Sequence, residues 1–145
     1  MWVVLGDGEC QEGQVWEAAL LAARCGAANL TAVIDANGFQ EWGWTPPPGS
    51  APAGAAAEAA TPEPVPDLPR KWAAFGWRVL EVDGHDHEAL SRTFRLAEAT
   101  QGRPSVVVAR TVKGKGLPAV EADPLRFHCT TIGADEHALL LRSLA

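Results

Sequence analysis

Four short runs of aliphatic and β-branched residues set the terms for this chain: residues 2–5, 30–35, 77–82 and 105–110. Each is too short for a buried helix and each is stopped by glycine or a polar turn, so each reads as a strand. Segments of helical composition lie between them. Residues 12–25 are rich in Ala, Leu, Glu and Gln, with Gly26 as a stop. Residues 69–75 open on Pro69 and end at Gly76, and residues 87–100 follow Asp86, a natural N-cap. A last helix is expected over 135–144, after a loop at 112–133. The rhythm β-α-β-loop-α-β-α-β implies the α/β class: a partial doubly wound, mostly parallel sheet with helices on its faces. Ligands of such sheets gather at the carboxyl ends of the strands.

The loop in that rhythm has its own composition. Eight of the eleven prolines fall between residues 41 and 69, and seven alanines between Ala51 and Ala60. No packed core can be built from such a segment, so it is expected to be an extended insertion dividing one domain into residues 1–40 and 70–145. Trp42 and Trp44 are expected to dock its first few residues. The 145 residues suffice for one core.

Charge and hydropathy narrow the function classes. The net charge is −6, and no basic residue lies between Arg24 and Arg70, which disfavours nucleic acid as a partner. Glu17, Arg24 and Asn29 interrupt the most apolar stretch, so no membrane span is expected. Residues 1–7 lack the charged and apolar regions of a signal peptide, and a cytoplasmic protein is expected. Cys10, Cys25 and Cys129 have no CxxC spacing, so neither a disulfide framework nor a zinc site is suggested.

Three chemically loaded turns follow strands: Gly6-Asp7-Gly8-Glu9, Asp35-Ala36-Asn37-Gly38, and Thr111-Val-Lys-Gly-Lys-Gly116. In a parallel sheet all three open on one edge. Asp7 and Asn37 supply the oxygen ligands that a hard cation such as Mg²⁺ prefers, alongside phosphate oxygens. Gly8 lets backbone N–H groups approach a phosphate, and the following helix directs its positive N-terminus to the same place. Lys113 and Lys115 could attract phosphate but read first as solvated loop charges, and Gly84-His85-Asp86 as a strand-to-helix turn with its cap.

Gly-Asp-Gly, then 28 residues, then Asn37 resembles the thiamine-diphosphate-binding motif. The longer run Gly-Asp-Gly-Glu-Cys-Gln-Glu-Gly-Gln-Val-Trp-Glu-Ala, followed by Asp-Ala-Asn-Gly-Phe-Gln, resembles transketolase. So do Ala74-Phe-Gly-Trp77, Glu81-Val-Asp-Gly-His-Asp86 and the Lys-Gly-Lys-Gly turn. By position, the resemblance implies that Asp7, Asn37 and the carbonyl of Phe39 hold Mg²⁺. It implies that Gly6, Gly8 and Glu9 belong to the cofactor turn and that Gly8 contacts the diphosphate. Glu12 would lie at a subunit interface, in a proton network joining paired active sites. His128 would contact the diphosphate or transfer a proton at the substrate, although Cys-Thr-Thr follows it where the family commonly has glycine and a nearby proline.

The resemblance further implies partners. The activating glutamate and the pyrimidine pocket belong to a domain that resembles nothing in these residues, and the family's segment before the Gly-Asp-Gly strand is also missing. That strand would sit mid-sheet, so these residues alone leave one side of it unpaired. The expectation is a component of a split transketolase-like enzyme, inactive alone, moving a two-carbon ketol unit from a ketose to an aldehyde. Partner chains would supply the rest of the diphosphate-binding domain and the pyrimidine-binding domain. The alternatives are a non-catalytic remnant or assembly subunit, or part of a 1-deoxyxylulose-5-phosphate synthase or a 2-oxo acid dehydrogenase.

Overall fold

The computed structural model describes residues 1–39, 67–124 and 126–144. Trp42, Trp44 and nearly all of the Pro/Ala-rich insertion lie outside the described residues. Its last three positions do not behave as loop. Asp67 caps a helix by accepting from the N–H of Arg70 at 2.9 Å, and the helix itself begins at Leu68, ahead of Pro69.

All four expected strands form: β1 (Trp2–Gly6), β2 (Thr31–Ala36), β3 (Arg78–Asp83) and β4 (Ser105–Arg110). They make one parallel sheet in the order β1-β2-β4-β3. The helices are α1 (Gly13–Arg24), α2 (Leu68–Ala74), α3 (His87–Glu98), α4 (Pro118–Ala122) and α5 (Ala134–Arg142). Two details differ from the sequence reading. A 3-10 turn, Glu9–Gln11, separates the Gly-Asp-Gly turn from α1, so the helix N-terminus does not abut Gly8. The stretch read as a continuous loop at 112–133 contains α4, whose five residues are too few to show a helical period.

Strand order explains the burial. β4 lies between β2 and β3, and Ser105 to Val108 are all 0% exposed. Alternate side chains go to opposite faces. Val106 and Val108 join Ala32, Ile34, Trp72 and Trp77 under α1 and α2, while Val107 and Ala109 join Val82 and Ala97 under α3. Covering both faces is what a parallel sheet requires, and it makes the strands read as continuous apolar runs. The α1–α2 face is tied by Trp77, whose indole N–H donates to the carbonyl of Ala19 at 2.9 Å, and by the contact of Trp72 with Trp16 and Trp77.

β1 is the exception. Among the described residues only β2 pairs with it, and Val4 is 73% exposed. Trp2, on the same face, reaches Phe94 of α3 edge-on at 5.3 Å. Leu5, on the other face, packs against the α1–α2 core.

Candidate functional site

Because the strands are parallel, the turns leaving β1, β2 and β4 emerge at one edge of the sheet. They enclose a cleft of about 470 Å³. Gly6, Asp7, Gly8, Glu9 and Glu12 line it from the β1 side, Asn37 and Phe39 from the β2 side, and His128 from the segment before α5. Every residue assigned to the site from the sequence thus borders one cavity. Asp35 borders it too, and so does Lys113, for which the sequence leaves open a solvated loop charge or an attraction for phosphate.

Asp7 is the buried charge of the site, 4% exposed. Its Oδ2 accepts from the N–H of Gly38 at 2.6 Å, joining the first turn to the second. Its N–H donates to the carbonyl of Asp35 at 3.1 Å. Burial raises the Asp7 carboxyl above its ordinary value, and the nearby charge of Asp35 adds to that. Backbone N–H groups of Gly38 and Gly8 pull in the other direction. Among the described residues neither Asp7 nor Asp35 has a salt-bridge partner.

The second turn is held by side chains. Asn37 donates from Nδ2 to Asp35 Oδ2 at 2.9 Å, and its Oδ1 accepts from the N–H of Phe39 at 2.8 Å. Thr111, the first residue after β4, donates its hydroxyl to the other oxygen of Asp35. Glu9 is exposed and accepts from the N–H of Gly6 at 2.7 Å, closing the first turn. Glu12 is the exposed N-cap residue of α1, at the cleft margin. His128 has a buried Nδ1 with no hydrogen-bond partner among the described residues.

The donor set suits a hard dication. The Asp7 carboxylate, which has no salt-bridge partner among the described residues, the Asn37 amide oxygen and the Phe39 main-chain carbonyl are all oxygen ligands, which Mg²⁺ takes in small number beside phosphate oxygens. Lys113 adds a positive charge on the same cleft, where an anionic group would sit.

The model of the transketolase thiamine diphosphate binding domain matches residues 1–145. The chain belongs to the transketolase family. It is 37% identical over 116 residues to the 6-deoxy-6-sulfo-D-fructose transketolase subunit SqwG of Clostridium sp. (strain MSTE9), covering 80% of this chain and 37% of that protein. Against an apulose-4-phosphate transketolase subunit of Phocaeicola vulgatus it is 37% identical over 120 residues, with 83% and 38% covered. Transketolase-like protein 2 of Bos taurus matches 99% of the chain at 37% identity, but only 21% of that protein is covered. Among solved structures, transketolase from Campylobacter jejuni superposes with a TM-score of 0.65 at 25% identity, covering 84% of this chain and 17% of that one. The chain therefore spans between a fifth and two fifths of these three curated relatives. Their shared fold is the thiamine-diphosphate-binding one, in agreement with the parallel α/β sheet.

Asp35 and Thr111 were each visible in a turn that the sequence marked as loaded. What was missing was their pairing, which crosses 76 residues and needs β2 and β4 to be neighbours.

Proposed function

We propose that this chain is one component of a transketolase-type enzyme that moves a two-carbon ketol unit from a ketose to an aldehyde, with thiamine diphosphate and Mg²⁺. The observation that carries this reading is the convergence of three turns on one cleft, around a buried carboxylate that lacks a countercation among the described residues. In this reading Asp7, the Asn37 amide oxygen and the Phe39 carbonyl hold the metal. Gly6, Gly8 and Glu9 shape the turn that receives the diphosphate, and Lys113 draws its charge. The bound cofactor supplies the nucleophilic carbon and electron sink for breaking and making the carbon–carbon bond. His128, which borders the cleft and whose Nδ1 has no hydrogen-bond partner among the described residues, hydrogen bonds an oxygen of the diphosphate or exchanges a proton with the substrate. Glu12 links this site to a second one across a subunit boundary.

Partner polypeptide completes the enzyme in this reading. It adds a strand beside β1 and contributes the pyrimidine-binding domain. Two observations support it: β1 carries exposed apolar residues and, among the described residues, is an edge strand paired on one side alone, with β2, and the relatives named as subunits are matched over nearly twice the share of their length seen for the bovine protein. The test is calorimetric titration of thiamine diphosphate and Mg²⁺ into the chain with and without its co-purifying partners, followed by a ketol-transfer assay. Saturable, Mg²⁺-dependent binding and turnover in the assembled form are expected, with neither in the chain alone. Binding without turnover by the assembled form would indicate a non-catalytic role in assembly instead.

A further inference from the structure

Resting on the metal site proposed above, we infer that Thr111, acting through Asp35, is a positioning residue that fixes the orientation of the Asn37 side-chain amide. An asparagine amide has two chemically opposite ends of nearly equal shape, and only its partners decide which end lies where. Here both ends are specified. Asp35 Oδ2, a pure acceptor when ionised, takes the N–H of Asn37 at 2.9 Å, and the N–H of Phe39, a pure donor, takes the oxygen end at 2.8 Å. Turning the amide over sets oxygen against carboxylate and N–H against N–H. Asp35 thus selects the arrangement in which Asn37 has a defined oxygen end available as a ligand.

Asp35 can do this only if its own carboxylate is held. The hydroxyl of Thr111 donates to the remaining oxygen, Oδ1, across the β2–β4 junction. The main-chain carbonyl of Asp35 accepts from the main-chain N–H of Asp7 at 3.1 Å, so one residue is bonded to the Asn37 side chain and to the backbone of Asp7. Thr111 is itself braced from the turn after β3. Gly84 lies against it so closely that a Cβ there would stand 2.4 Å from Thr111 Cγ2 and 3.0 Å from the carbonyl oxygen of Arg110. Gly84 N–H donates to that Arg110 carbonyl at 2.8 Å. His85 Nε2 accepts from the N–H of Val112 at 2.8 Å. With its methyl packed on the bare glycine and its main chain anchored on both sides, Thr111 presents its hydroxyl to Asp35. The Gly84-His85 turn, which does not itself line the cleft, therefore supports the metal half of the site through two intermediates. Outer partners of this kind orient ligands and tune metal affinity.

The experiment uses the complete protein with any partner chain that co-purifies. Mn²⁺ is titrated in the presence of thiamine diphosphate and free Mn²⁺ is read by electron paramagnetic resonance; the melting temperature of the metal-free protein is measured in parallel. Thr111→Val keeps the shape and removes the donor, and is expected to weaken Mn²⁺ binding by about tenfold or more, whereas Thr111→Ser keeps the donor and should stay within about threefold of the parent. In an Asp35→Ala background, Thr111→Val should change affinity by less than about twofold, since it acts through the missing carboxylate. Unchanged Mn²⁺ affinity in Thr111→Val, whatever its melting temperature, overturns the inference. So does equal weakening in the valine and serine variants, or full additivity with Asp35→Ala. A parent protein that binds no Mn²⁺ overturns the metal site itself, a result read before any variant is made.

Discussion

Asp7 Oδ2 and the N–H of Gly38 meet at 2.6 Å although 31 positions separate them in sequence. That bond and burial act on the carboxyl in opposite directions, and burial is the larger effect, so the group is held above its ordinary value of 3.8. Between 3.8 and the raised native value, the folded protein keeps a proton that the unfolded chain has released. Stability of the metal-free protein therefore falls as pH rises through that window, and the penalty persists at neutral pH. Asp7→Asn, which mimics the neutral form, should raise the metal-free melting temperature at pH 7 and flatten its dependence on pH. The same variant should lose the stabilisation that Mg²⁺ and thiamine diphosphate confer. Thermal unfolding from about pH 3.5 to pH 8, a range that begins below the ordinary value, checks both; an asparagine variant less stable than the parent at pH 7 contradicts the argument.

Two buried tryptophans offer a matched comparison. Trp77 donates to the Ala19 carbonyl, while the indole N–H of Trp72, 1% exposed, has no acceptor among the described residues. Replacing either by phenylalanine removes similar volume. Only Trp77→Phe removes a hydrogen bond, and Trp72→Phe also relieves an unsatisfied buried donor. Trp77→Phe should therefore be the more destabilising by about 1–3 kcal/mol in denaturant unfolding. Equal losses would mean that packing alone governs this face.

Gly114 is a third test, of a turn rather than the core. Its φ of +76° favours glycine, and a Cβ there would lie 2.2 Å from Cγ1 of Val120. Gly114→Ala should displace α4 and cost about 1–3 kcal/mol through strain and overpacking. Hydrogen exchange should speed up first at Leu117 and Val120, whose N–H groups donate to Gly114 and Leu117 respectively. Unaltered exchange there would show that α4 is not seated on this contact.

The sheet was legible because burial on both faces leaves nothing to alternate. Val106, Val107 and Val108 form an unbroken apolar run because β4 is covered on each side. Asp86 and Pro69 marked helix starts because caps and N-terminal prolines are local signals; Asp67 was a cap as well, hidden in a proline-rich surround. Neither the Glu9–Gln11 turn nor α4 is long enough to leave a period. In the site, Asp7 and Asn37 could be read from turns that follow strands. The Thr111 to Asp35 bond could not, because it depends on β4 inserting between β2 and β3, and strand order is a property of the whole sheet.

The last prediction concerns the open side of β1. In a parallel sheet with helices on both faces, an edge strand with apolar side chains on each face is a surface waiting for cover. Val4 is 73% exposed on the face that α3 covers elsewhere, and Val3 is 38% exposed on the other. Fully burying one valine contributes about 1.5–3 kcal/mol, equivalent to at least about tenfold in an association constant. Val4→Asp also places a carboxylate where a partner's apolar surface would lie, which adds a desolvation cost. The variant should therefore bind a covering partner chain at least about tenfold more weakly in sedimentation or calorimetry, while α3 and the β2–β4 core, which do not depend on Val4, remain folded by circular dichroism. Where the covering strand belongs to the same polypeptide, the loss appears as a lower melting temperature of the complete protein. No change in either quantity would mean that β1 stays an exposed edge, and the strand-addition reading of the partner would have to be abandoned.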